Sequence, residues 1–219
     1  WRLGRLELGT FKEAACNKSP PEYEFQVTTT SKKTLETHKA TSGCILLQDY
    51  RACMEKHWPV HFEDSVGASP EKAEAFWSKC DLEDPRFFEH PMLKVPDWQK
   101  KFLPLFCHAD EAEFCDRDFL MVASSSPLLG PGPSKDLKFL HRVWPSSTNF
   151  HGEEVGDEST CEEHWWVFLW DLQACFLGKR PSLDHNGKPF RGKNAWRAKL
   201  AGKDILENMM RVVLWGMQG

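Results

Sequence analysis

The sequence predicts an α/β core: three antiparallel strands, a helical crossover and a fourth strand parallel to the first, behind a mainly helical leader. Three observations point there. Two short apolar runs, Phe102 to Ala109 and Phe119 to Ala123, flank an acidic stretch. Apolar runs this short, bounded by polar turn residues, read as strands covered on both faces. A well-marked amphipathic helix follows Ser159, and a last apolar run, Met209 to Trp215, comes after it. Strand, helix, strand is the order of a parallel crossover.

Ten Trp and fifteen Phe in 219 residues supply a core, which argues against disorder throughout. A formal charge of −4 gives no global attraction to nucleic acid or anionic membrane, so any such affinity needs a local patch. Eight Cys are scattered with no C-x-x-C pair, which points to reduced thiols in an intracellular protein rather than a zinc module or disulfide scaffold. No charged segment precedes an apolar one at Trp1, and the run Trp165 to Leu172 contains Asp171 and is too short for a bilayer. A chain that opens on Trp reads as an excerpt of a longer reading frame.

The leader covers residues 1–97. Its first 42 residues are polar, with one candidate strand through Tyr23, Phe25 and Val27 and a loop after it. From Cys44 the apolar spacing becomes helical until Pro59. Ser69-Pro70-Glu71 supplies a cap, a first-turn proline and a first-turn acid for a helix carrying Ala73, Phe76, Trp77 and Cys80. Asp84-Pro85 ends it.

The core covers 98–219. Its first strand ends at Asp110, an acidic turn leads to the second, and Gly130-Pro131-Gly132-Pro133 turns the chain again. Leu137, Phe139, His141 and Val143 alternate as a third strand up to Pro145. Ser159 and Glu162 form a capping box, with Trp165, Phe168, Leu169, Leu172 and Phe176 as the stripe and Gly178 as the stop. Met209 to Trp215 reads as the fourth strand, with a helix over 203–218 as the competitor.

This order is the opening half of a ribonuclease-H-like fold. There the first and fourth strands lie parallel and bring carboxylates to one site, where two divalent ions serve phosphodiester chemistry. Asp110 is the candidate catalytic and Mg2+-binding residue; Glu111, Glu113, Asp116 and Asp118 read as a solvated face. A 3′–5′ exonuclease of this fold needs Asp-x-Glu, which Asp110-Glu111-Ala112 lacks. A basic segment holds Lys179, Arg180, Lys188, Arg191, Lys193, Arg197, Lys199 and Lys203 against only Asp184 and Asp204. It is a candidate for non-specific DNA phosphate contact, with a solvated loop as the plain alternative. Trp196 within it suits base stacking or core capping. Cys107 and Cys115 read as core cysteines rather than as a zinc site with His108, because neighbours on a strand point to opposite faces and Cys107 and His108 do not easily share one ion. His185 beside Asp184 has no nucleophile motif with it, so the Asn186-Gly187 turn accounts for it.

LPLFCHADEAEF, DRDFLMVASSSPLL, HWWVFLWDLQACFLGKRPSLDHNGKPF and RVVLWGMQG, in that order over roughly 101–219, carry a resemblance. They look like multi-copy reading frames of large protist genomes that resemble mobile-element proteins with a DDE-class transposase core. The family pattern has His-Gly-Asp-Gly where His108-Ala109-Asp110-Glu111 stands, and a second acid just past the position of Gly219. The resemblance implies a nuclear, DNA-cutting protein when complete, and a fragment that holds one carboxylate and does not cut alone. The other expectation is a non-catalytic remnant, or a partner- or DNA-binding domain, in which Asp110 is structural.

Overall fold

The computed structural model describes residues 19–31, 33–66, 69–115, 118–130, 138–151, 159–206 and 211–218. Among them the chain is α/β, with a two-stranded hairpin and a mixed four-stranded sheet. The hairpin pairs β1 (Glu22–Thr30) antiparallel with β2 (Thr37–Ile45). Tyr23, Phe25 and Val27 alternate inward and are buried with Cys44, Leu46, Val167 and Phe190. The sequence shows the first strand; the second, THKATSGCI, is Thr-rich but has little apolar alternation and reads as loop.

Next come α1 (Leu47–His57), α2 (Pro59–Val66) and α3 (Pro70–Trp77). In α3 the Ser69 hydroxyl accepts from Lys72 N and Pro70 takes the first turn, as the sequence predicts. Two 3-10 turns, Pro85–Phe87 and Pro91–Lys94, are capped by the side chains of Asp84 and His90, and the short α4 (Trp98–Lys101) enters the sheet.

The sheet holds β3 (Phe102–Cys115), β4 (Asp118–Pro127), β5 (Phe139–Pro145) and β6 (Arg211–Gln218) in the order β5-β4-β3-β6. The first three are antiparallel, whereas β6 runs parallel to β3 from Phe102↔Arg211 to His108↔Gln218. The strand reading of the last apolar run therefore holds over 211–218; residues 207–210 lie outside the described residues. The acidic turn is different. β3 continues through Glu111 and Glu113, paired with Met121 and Phe119, and the pairing runs on to Cys115 opposite Asp118; residues 116–117 lie outside the described residues. Asp110 to Glu113 are all exposed, so pairing continues on a solvated extension where charge costs nothing.

α5 (Thr160–Leu177) makes the crossover, with the Ser159–Glu162 capping box in place and Gly178 at φ 70 ending it. Phe168, Leu172 and Cys175 face the sheet, and Val167 faces the hairpin, so one helix serves two apolar clusters. Leader and sheet share the larger cluster: Phe62, Trp77, Phe87 and Met92 pack with Phe102, Leu105 and Val213. Trp77 donates its indole N–H to Phe102 O at 2.7 Å, and its ring lies 5.1 Å from that of Trp215. Burial of each such side chain contributes about 1.5–3 kcal/mol.

Candidate functional site

Asp110 sits opposite Val122 in the middle of a 14-residue strand, rather than at a strand tip. Its neighbour Ala109 pairs with Ala123 and through it with Arg142, which bonds His164 on α5. Alternation therefore turns Asp110, with His108 and Phe106, to the face away from α5. That face is open: Val143, across from Val122, is 44% exposed. Asp110 Oδ1 accepts from Glu111 N at 2.8 Å. β6 reaches Gln218 at the level of His108, two rungs below Asp110.

The basic segment separates into two groups. Lys188, Arg191, Lys193, Lys199 and Lys203 are exposed. Lys193 lies 2.5 Å from Glu24, and Lys179 lies 2.7 Å from Asp204. Arg180 and Arg197 do not share that solvated position. Arg180 Nη1 donates to Asp49 Oδ1 at 2.5 Å, and Arg197 Nη1 stands 2.7 Å from Asp49 Oδ2 as an ion pair without hydrogen-bond alignment. Both guanidinium groups are committed to the interior; Asp49, at 3% exposure, is the reason. Nor does the segment flank Asp110: Phe190 and Asn194 dock it on the hairpin and on Trp170 of α5.

Around Asp49 lies a polar junction with no marker in the sequence. Asp171 of α5 accepts from Leu47 N at 2.5 Å, Gln48 N at 3.3 Å and Gln48 Nε2 at 3.0 Å, and so caps the start of α1 from another element. Burial, aided by the Asp49 carboxylate, pushes its carboxyl up to about 7. Arg51 is buried beside Cys175, whose thiol is pushed up by burial. A second buried group joins Arg142 Nη1 to His164 Nδ1 at 2.8 Å, with Trp144 stacked on the His164 ring at 4.2 Å. Burial, then the guanidinium, hold His164 down to about 3, so the ring is neutral and accepts. His141 meets the Ser125 hydroxyl at 2.6 Å, and burial lowers it to about 4. Sealed from solvent, this Ser/His pair has no route to a substrate.

Where the 184–194 loop meets β1 there is an open groove of about 360 Å³. His185 stands on it, its Nδ1 2.8 Å from the Tyr23 hydroxyl, and burial lowers the imidazole's pKa. Burial also raises the Tyr23 phenol. Trp196 is 38% exposed and lies under the Arg197 guanidinium at 4.6 Å, which favours the capping reading.

Cys107 is a core thiol, pushed up to about 12 by burial. Among the described residues no group of three or more His, Cys, Asp or Glu is arranged to hold a metal ion. A pair of Mg2+ ions needs several oxygen donors, and Asp110 alone does not supply them. The described residues therefore do not fit that cofactor. No described helix is long and apolar enough to cross a membrane. Compared with protein-family models, curated proteins and solved structures, the chain matches none.

Proposed function

We propose that this chain belongs to a nucleic-acid-processing protein with a ribonuclease-H-like core of the mobile-element, DDE-transposase kind, and that its described residues bind DNA without cutting it. The observation that carries this reading is β6, parallel to β3 and advancing along it toward Asp110. An acid two rungs past Gln218 would face Asp110 on the same ladder, the arrangement in which carboxylates share divalent ions. DNA contact falls to Lys188, Arg191, Lys199 and Lys203, which are exposed.

The test is fluorescence anisotropy with labelled duplex DNA from about 50 to about 200 mM salt, where counterion release governs affinity. Binding should weaken with salt, and each alanine substitution at those four positions should lower the slope by about one. No binding at low salt, or slopes unchanged in all four variants, overturns the DNA role. For the chemistry, a polypeptide with an acid placed at that rung should nick DNA with Mn2+, and Asp110→Asn should abolish nicking. Nicking that survives Asp110→Asn rejects the assignment. A second reading, a non-catalytic partner-binding domain, is favoured by the exposed Trp166, Leu169 and Leu177 along α5.

A further inference from the structure

β1 has an outer edge that is closed at two points and open between them. Thr28 N donates to Glu163 Oε2, Thr28 O accepts from the Thr160 hydroxyl, and Glu24 O accepts from Asn194 Nδ2 at 2.7 Å. These bonds mark Glu24 and Thr28 as residues whose backbone groups point away from β2. The two-residue alternation of an antiparallel ladder gives Gln26, midway between them, the same orientation. Its N–H and C=O carry no partner among the described residues, and Gln26 lines the 360 Å³ groove with His185, Arg191 and Asn194.

We propose that this groove seats one unpaired nucleotide, its base edge on the Gln26 N–H and C=O and its phosphate beside Arg191; this rests on the nucleic-acid reading above. A peptide strand suits the site less well. Asn194 caps the edge at Glu24, and Glu163 with Thr160 caps it at Thr28, so only about 13 Å of ladder is available. A base presents adjacent donor and acceptor atoms on its Watson–Crick edge and needs only one such backbone pair. The volume lies in the range of small-ligand sites. The lining is charge-balanced: Lys193 offsets Glu24, and the Asp184 carboxylate, which accepts from Asn186 N and Lys188 N within its own turn, stands against Arg191 in the count. Exposed Arg191 has no side-chain partner among the described residues and is free for a phosphate. Among the described residues, the buried Asn194 Oδ1 accepts no hydrogen bond.

The test is binding of a labelled mixed-sequence single-stranded oligonucleotide against the matching duplex. The single strand should bind more tightly. Gln26→Pro removes the outward N–H at an edge position where proline is tolerated, and should weaken single-strand binding about tenfold. Gln26→Ala keeps that N–H and should bind as the unaltered chain does. Hydrogen exchange at the Gln26 amide of the unaltered chain should slow when the oligonucleotide is added, a readout that does not depend on whether the proline variant folds. Unchanged exchange in the bound state, unaltered affinity of a folded Gln26→Pro, or displacement of the oligonucleotide by an acidic peptide each overturns the proposal. Duplex binding that weakens in Lys199→Ala and Lys203→Ala, with no preference for the single strand, overturns the pocket and keeps the DNA reading. No binding of either form overturns both.

Discussion

Asp49 and Asp110 are both aspartates on regular elements, and they have opposite surroundings. Asp49 is buried between Arg180 and Arg197, tying α1 to the segment after α5. Asp110 stands exposed on an open sheet face and, among the described residues, accepts only from the next backbone N–H. Two desolvated charges facing each other, once built, leave no room for a substrate, and removing one strands the other. An exposed carboxylate contributes little to folding and stays available to a ligand. The density of interactions around an acid thus marks a structural role here, and its sparsity marks the candidate for chemistry.

The sharpest way to break that contrast is to remove each acid in turn. Asp49→Ala leaves the buried Arg197 and the partly buried Arg180 without their counter-charge and should cost about 3–5 kcal/mol in urea unfolding. A loss below about 1 kcal/mol would mean the junction is wet or open.

The pH profile sharpens the same point with a smaller effect. Folded Asp171 titrates at about 7, against about 4 when unfolded, so between those values the folded chain keeps a proton the unfolded chain has lost. Its contribution to stability therefore falls as pH rises through that window, by up to about 1.4 kcal/mol per pH unit. His141 and His164, held at about 4 and about 3, work the other way: the unfolded chain takes up their protons below about 6.5, so stability falls as pH drops. Asp171→Asn removes the first contribution alone. Urea midpoints between about pH 4 and 6.5 should then climb more steeply with pH than in the unaltered chain; an unchanged slope refutes a raised Asp171.

Smaller still, Ser159→Ala removes the side-chain acceptor for Glu162 N and should cost about 1 kcal/mol, visible as a lowered Tm. At the other end of the scale, Asp110→Ala should leave stability within about 0.5 kcal/mol, because nothing buried depends on it. A larger loss would move Asp110 to the structural side.

Much of the core was legible because its signals are local. Ser159, Glu162 and Gly178 mark both ends of α5 within one element. The run through Val212 and Val213 fits a buried strand as well as a helix, and the strand reading with strand–helix–strand order gives the parallel pairing. The second hairpin strand was not legible: Thr and Lys on its solvent face hide the pairing that Tyr23, Phe25 and Val27 require. The Asp49 junction was illegible for a stronger reason. Its members lie at positions 49, 171, 180 and 197, and a buried arginine in a basic run has the same letter as a solvated one. Asp110 stands out in the sequence as a candidate, but the acids after it resemble a turn and so make a mid-strand position look like a strand tip. The groove at Gln26 depends on which way one peptide unit points, which no residue type encodes.

The proposed fold and function both depend on β6 lying parallel beside β3. Cross-strand NOEs measured on isotopically labelled protein would test it most directly. Parallel-type contacts between Leu103 and Val212, Leu105 and Leu214, and His108 and Gln218 are the predicted result. Helical i to i+3 contacts within 211–218, or antiparallel contacts to β3, would contradict it.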